Sequence, residues 1–228
     1  MFWCSIVFIF ICISVLVIFN YWKKEPFSDK YFLVHPPKTG GTSLEVSMCG
    51  KAHACHDYVV NEAGACPNIT QTNGKLNHFT KQQILDCGIM SAEEMATKTT
   101  VCTTRDPYAR FISLVNHMGI NIGKMRKLCD LNAATEHTKW FHRAACAPQT
   151  TYLGISGEEC DVIFDTSELS TNGNKWLIAN GFAPVGHARD SRKRKRSSFE
   201  VTDMTTEDRA WVEEFYKSDF DMRAQLGM

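Results

Sequence analysis

The chain has 228 residues, 25 basic and 25 acidic side chains, and no formal net charge. Once an N-terminal apolar segment is set aside, about 200 residues remain, enough for one globular domain with a full core. The charge balance excludes general nucleic-acid binding but leaves room for a local basic site.

The first segment, "MFWCSIVFIFICISVLVIFNYW", carries no charged side chain and has bilayer length. Tyr21 and Trp22 close it, where interfacial aromatics belong. A secretory signal peptide is the rival reading, but no small-residue cleavage site precedes Lys23. Residues 1–22 are therefore expected to be a retained transmembrane anchor, crossing through residues 2–22. Lys23 and Lys24 follow the segment, and by the positive-inside rule alone would keep the rest of the chain in the cytosol. Cysteine usage argues for the lumen instead. Of ten cysteines, eight lie beyond the anchor (Cys49, Cys55, Cys66, Cys87, Cys102, Cys129, Cys146 and Cys160), an even set suited to an oxidising compartment. Asn68-Ile69-Thr70 is an N-glycosylation sequon, consistent with a lumenal loop carrying an N-glycan at Asn68. His53, Cys55 and His56 form only a weak metal signal, and no metal is expected.

Residues 23–29 read as a polar stem, and residues 30–228 as the domain. "KYFLVH" predicts a buried strand ended by Pro36-Pro37. A glycine turn follows, and "SLEVSMC" starts a helix. Residues 50–77, rich in Gly, Asn, Cys and His, read as a surface loop. "TKQQILDCGI" and "SAEEMATK" are helical, the second with a capping box from Ser91 to Glu94. "TTVCTT" is a second strand. After it, Asp106 is an N-cap and Pro107 the first residue of a helix with Phe111, Leu114, Val115 and Met118 on one face. Val162–Phe164 form a third strand. "NKWLIANGF" is a short helix with Gly181 at its C-cap, and "TTEDRAWVEEFYKSDFDMRAQL" one amphipathic C-terminal helix. Strands alternating with helices imply an α/β fold with a mostly parallel central sheet.

The turn after the first strand reads Pro37-Lys38-Thr39-Gly40-Gly41-Thr42-Ser43. An ATPase P-loop places its lysine after the glycines; here the lysine comes first. The turn still suits an anion. Glycines admit close backbone approach, the helix presents its positive N-terminus, hydroxyls on Thr39, Thr42 and Ser43 donate, and Lys38 adds charge. After the second strand, "RDPYARFIS" sets Arg105 before a helix N-terminus and Ser113 two turns on, a second phosphate site. Two phosphate sites at two strand ends imply a bis-phosphorylated nucleotide.

"PKTGGTS" followed by "RDPYARFISL" resembles the sulfotransferase superfamily. The likeness is to membrane-anchored Golgi-type carbohydrate sulfotransferases, nearest to the heparan sulfate 2-O-sulfotransferase group. "CAPQTTYL…CDVIFDTSEL" and "WVEEFYKSDFDM" are similar to that group's middle and C-terminal segments, so the resemblance spans roughly residues 30–225. It implies the P-loop-like sulfotransferase fold and PAPS (3′-phosphoadenosine 5′-phosphosulfate) as co-substrate. Lys38, Thr39, Gly40, Gly41, Thr42 and Ser43 would hold the 5′-phosphosulfate, and Arg105 and Ser113 the 3′-phosphate. The implied reaction is in-line sulfuryl transfer to a carbohydrate hydroxyl, with Lys38 stabilising charge and no metal required. The chain departs from the group in its short lumenal part and its Cys- and His-rich segment between the motifs.

His78, in "KLNHFTKQQI", occupies a place similar to the group's catalytic histidine, and histidine has a suitable pKa for a base. His56 and Glu45 compete with it. Glu45 follows the cradle so closely that its expected place is the helix surface. His117, His137 and His142 are expected to be structural or substrate-facing. Arg192, Lys193, Arg194, Lys195 and Arg196 would attract an anionic glycan acceptor. For the disulfides, Cys146–Cys160 and a pair among Cys49, Cys55 and Cys66 are the expected pairings. The resemblance places the protein in the Golgi membrane, single-pass type II, with a lumenal catalytic domain. A P-loop small-molecule kinase and a family member that binds PAPS or glycan without turnover are the alternatives.

Overall fold

The computed structural model describes residues 30–50, 78–134, 144–186 and 198–228. The expected anchor and stem, His53, Cys55, His56, Cys66, Asn68, His137, His142 and the basic run 192–196 lie outside the described residues. Among those described, no helix is long and apolar enough to cross a membrane.

The fold is α/β, with a small parallel sheet flanked by helices. Strands β1 (Tyr31–Val34), β2 (Thr99–Thr104) and β3 (Val162–Asp165) lie in the order β1-β2-β3, both pairs parallel. Register sets Val34 beside Cys102 and Thr104 beside Asp165, so the strands' carboxyl ends lie along one edge. All three strands stand where the apolar runs predict them. Alternate residues feed two cores. Phe32, Val34 and Cys102 join Ile84, Met95, Leu153 and Met222; Tyr31, Leu33, Val101 and Phe164 join Leu44, Leu169 and Leu177. Burial on both faces explains why the strands read as apolar runs instead of alternating.

The helices are α1 (Gly41–Cys49), α2 (Lys81–Asp86), α3 (Ala92–Ala96), α4 (Pro107–Met118), α5 (Ile122–Ala134), α6 (Thr150–Leu153), α7 (Asn174–Ala179), α8 (Thr206–Phe215) and α9 (Lys217–Gln225). Asp106 caps α4 through Ala109 N–H, with Pro107 at its first position, as the sequence predicts. Ser91 accepts from Glu94 N–H to cap α3, while two-way capping boxes form at Thr80/Gln83 and Thr205/Asp208. α5 is not expected from the sequence, although Asn121 caps it and Ile122, Met125 and Cys129 are buried at helical spacing. Its core joins Phe111, Leu114 and Val115 of α4 to Val212 of α8 and to Tyr216.

Two expectations need correction here. The single C-terminal helix is two, broken at Tyr216, whose ring is buried against the Arg110 guanidinium with Cζ 5.2 Å from the ring centroid. The break turns α9 so that Asp219 reaches Thr150 N–H (3.0 Å). Two disulfides are seen among the described residues, Cys102–Cys160 and Cys129–Cys146, and they replace the expected Cys146–Cys160. β2 carries Cys102 beside the chain entering β3, while α5 carries Cys129 to Cys146, so packing of elements overrides nearness in sequence. Cys49 and Cys87 are also disulfide-bonded.

Candidate anion site at the strand ends

The first turn leaves β1 through Pro36 and Pro37 and enters α1 at Gly41. Gly40 is the N-cap in the left-handed region (φ 85°), which a side chain would resist. Lys38 holds φ 69° and His78 φ 71°; among the described residues they are the only non-glycines with positive φ. Such backbone costs on the order of 1–3 kcal/mol and persists only where the surroundings impose it. The two residues expected from the sequence to be catalytic are thus the two with strained backbone.

Thr39 is fully buried. Its hydroxyl donates to Pro36 carbonyl (2.7 Å) and accepts from the Thr103 hydroxyl (2.7 Å). That hydroxyl ties the loop to β2. Thr166, just past β3, lies 2.6 Å from the Thr39 carbonyl and 2.8 Å from that of Thr104, tying the loop to the other two strand ends. Thr42 and Ser43 are half-buried in the first turn of α1, where Ser43 N–H already donates to the Gly40 carbonyl (2.9 Å) and leaves the two hydroxyls as the side-chain donors.

Arg105 leaves β2 beside this loop. Its Nη1 donates to the Lys38 carbonyl (3.3 Å), so the fold brings the two sequence motifs into contact. Burial holds the Arg105 guanidinium below its ordinary pKa, while Asp106 and Asp165 oppose that shift. Ser113 is half-buried on α4, about 9 Å along the axis from Pro107. Among the described residues no hydrogen bond joins it to Arg105 or to the loop.

Four supporting side chains have no local sequence signal. Gln149 is fully buried and grips Arg105 at both ends: its Oε1 accepts from Arg105 N–H (2.8 Å) and its Nε2 donates to the Arg105 carbonyl (2.9 Å). Arg110 is buried in α4 and donates from Nε to Pro37 carbonyl (3.0 Å) and from Nη2 to the carbonyls of Ala145 and Ala147. Asp219 lies 3.7 Å from Arg110 Nη1 and accepts from Gln149 Nε2 (3.2 Å). Both turns therefore share one buried polar network. The fourth is Arg223, whose Nη2 pairs with Asp165 at 2.6 Å and whose Nη1 reaches Thr104.

Glu45 corrects an expectation. It is wholly buried, and its Oε1 meets His35 Nδ1 at 3.0 Å. The face of α1 that carries Glu45 packs on the end of β1, and this removes it from the helix surface. His35 was not among the residues expected at the site. Its ring lies against α1 so closely that a Cβ on Gly41 would fall 1.9 Å from His35 Cδ2. His78 Nδ1 donates to the His35 carbonyl (2.7 Å), and the two rings meet edge to face, centroids 4.6 Å apart. A carbonyl only accepts, so His78 Nδ1 carries the proton and the neutral ring has its lone pair on Nε2. His117 is exposed in the last turn of α4.

The chain matches no known family model, no curated protein and no solved structure.

Proposed function

We propose that this chain is a PAPS-dependent sulfotransferase that moves a sulfuryl group to a carbohydrate hydroxyl. One observation carries the reading. Two turns whose donors suit anions, each at the carboxyl end of a parallel strand, meet where Arg105 donates to the Lys38 carbonyl. Ligands of open α/β sheets bind in that position. The donor set suits a nucleotide with two separate anionic groups: Lys38 and the start of α1 on one side, Arg105 on the other.

In this reading Thr42, Ser43 and the backbone from Thr39 to Gly41 hold the 5′-phosphosulfate of PAPS, and Arg105 with Ser113 holds the 3′-phosphate. Lys38 neutralises the bridging oxygen as its bond to sulfur breaks. The acceptor oxygen forms the new bond to sulfur, and its proton passes to His78 Nε2. The sulfotransferase fold, the Golgi lumen, the type II anchor at residues 2–22 and a glycan acceptor drawn by Arg192 to Arg196 belong to the same proposal.

The test is sulfate transfer from radiolabelled PAPS to a panel of desulfated polysaccharides, with Lys38→Ala and His78→Ala alongside. Transfer by the parent chain, lost in both variants, is the expected result. PAPS binding without transfer to any acceptor would favour a binding-only protein. Failure to bind PAPS would overturn the assignment of both turns.

A further inference from the structure

The pair His35–Glu45 is buried and unused by the reaction just described. A carboxylate withdrawn from water needs a close donor, and His35 supplies one at 3.0 Å. With Nδ1 held by the carboxylate, the His35 ring is fixed in rotation and tautomer. Gly41 leaves the space that this ring fills: a Cβ at that position would fall 2.4 Å from His35 Nε2. The ring is thus wedged between the first turn of α1 and Glu45, one turn further along the same helix.

His78 is seated on this wedged residue twice, through its Nδ1–H on the His35 carbonyl and through ring contact. These contacts accompany a backbone angle, φ 71°, that few residues other than glycine adopt. They also fix its tautomer. The order of dependence runs from Glu45 to His35 to His78.

We propose that His35 is the positioning residue for His78: clamped by Glu45, it holds His78 with Nδ1 protonated and Nε2 basic beside the anion cradle. The proposal rests on the reading of His78 as the base. His35 itself touches neither donor nor acceptor in this account. Because the same ring packs on Gly41, the base is held in register with the loop that binds the donor.

The experiment uses the full chain and three readouts. Turnover is measured for the parent, His35→Ala, His78→Ala and the double variant. Affinity is measured with 3′-phosphoadenosine 5′-phosphate as the probe. The His78 tautomer is read from imidazole nitrogen chemical shifts. His35→Ala should lower kcat by about 10- to 100-fold, the range seen when outer-shell partners of a working histidine are lost. Nucleotide affinity should stay within about threefold, since the cradle's donors remain. In the His78→Ala background, removing His35 should cost less than about twofold further. Alanine keeps the His35 carbonyl but removes the ring that wedges it and that His78 packs on, so His78 Nδ1–H should lose its fixed acceptor geometry and change from one tautomer in the parent to a mixture. Equal losses in both backgrounds, or an unchanged tautomer, would overturn the proposal. If His35→Ala does not fold, Glu45→Leu against Glu45→Gln makes the same comparison. Glutamine keeps an acceptor for His35 Nδ1 and should retain most of the turnover that leucine loses. If the parent transfers no sulfate, the functional reading fails, and the tautomer comparison still decides the role of His35.

Discussion

Replacing Gly41 by alanine asks whether the His35 ring is as tightly wedged as the geometry states. The added Cβ would lie 1.9 Å from His35 Cδ2, and ordinary contact begins at 3.4 Å, so the ring must retreat by about 1.5 Å. Its 3.0 Å hydrogen bond to Glu45 cannot survive such a shift. Overpacking costs about 1–3 kcal/mol, and loss of a hydrogen bond to a charged group about 1.5–3 kcal/mol. Against this, alanine is better than glycine in a helix by up to about 1 kcal/mol. The expected net is a loss of about 2–4 kcal/mol. For a domain of this size that lowers Tm by roughly 4–15 °C in differential scanning calorimetry. Gly123→Ala is the control. Its Cβ would meet nothing closer than Asn121 Oδ1 at 3.9 Å, and it should leave Tm unchanged or raise it slightly. A Gly41→Ala protein as stable as its parent would refute the placement of His35 against α1.

Gln149→Leu removes four hydrogen bonds from a fully buried side chain and strands Arg105 N–H and carbonyl. Stability should fall by about 3–5 kcal/mol in urea titrations. Nucleotide affinity should fall with it, since the Arg105 turn loses its grip. The pH response should involve Asp165. Burial pushes its carboxyl up, but Ser167 hydroxyl and N–H, with Arg223, outweigh this and hold it below the usual range. A depressed folded pKa means stability that is present above the unfolded value, about 3.9, and lost as pH falls through the folded one. Arg223→Met should therefore shift the acid unfolding limb to higher pH, read by circular dichroism; an unmoved limb would remove Arg223 from this role. Among the disulfides, loss of Cys102–Cys160, 58 residues apart, should cost about 4 kcal/mol against about 3 for Cys129–Cys146, 17 apart. Paired alanine substitutions followed by urea unfolding give the order, and the reverse order would contradict the loop-entropy account.

Local chemistry made much of this molecule legible in its sequence. Short apolar runs ended by proline, arginine and an acidic residue mark β1, β2 and β3, because a strand buried on both faces needs nothing but apolar or β-branched side chains. Asp106-Pro107 marks the start of α4, because an N-cap and a first-turn proline act within one turn of chain. Lys38 and Arg105 are likewise conspicuous in the sequence, since each stands between a strand and a helix N-terminus, the local arrangement that the proposed anion site requires. The contact between those two turns, the Cys102–Cys160 and Cys129–Cys146 pairings, the break at Tyr216 and the Gln149–Arg110–Asp219 network belong to the tertiary structure. Each joins residues far apart along the chain, 70 between Gln149 and Asp219 alone, and long-range packing leaves no periodic or compositional trace. Glu45 shows the difference best. Its sequence neighbours place it just past a surface cradle, but the docking of α1 on β1 buries it against His35, ten residues earlier.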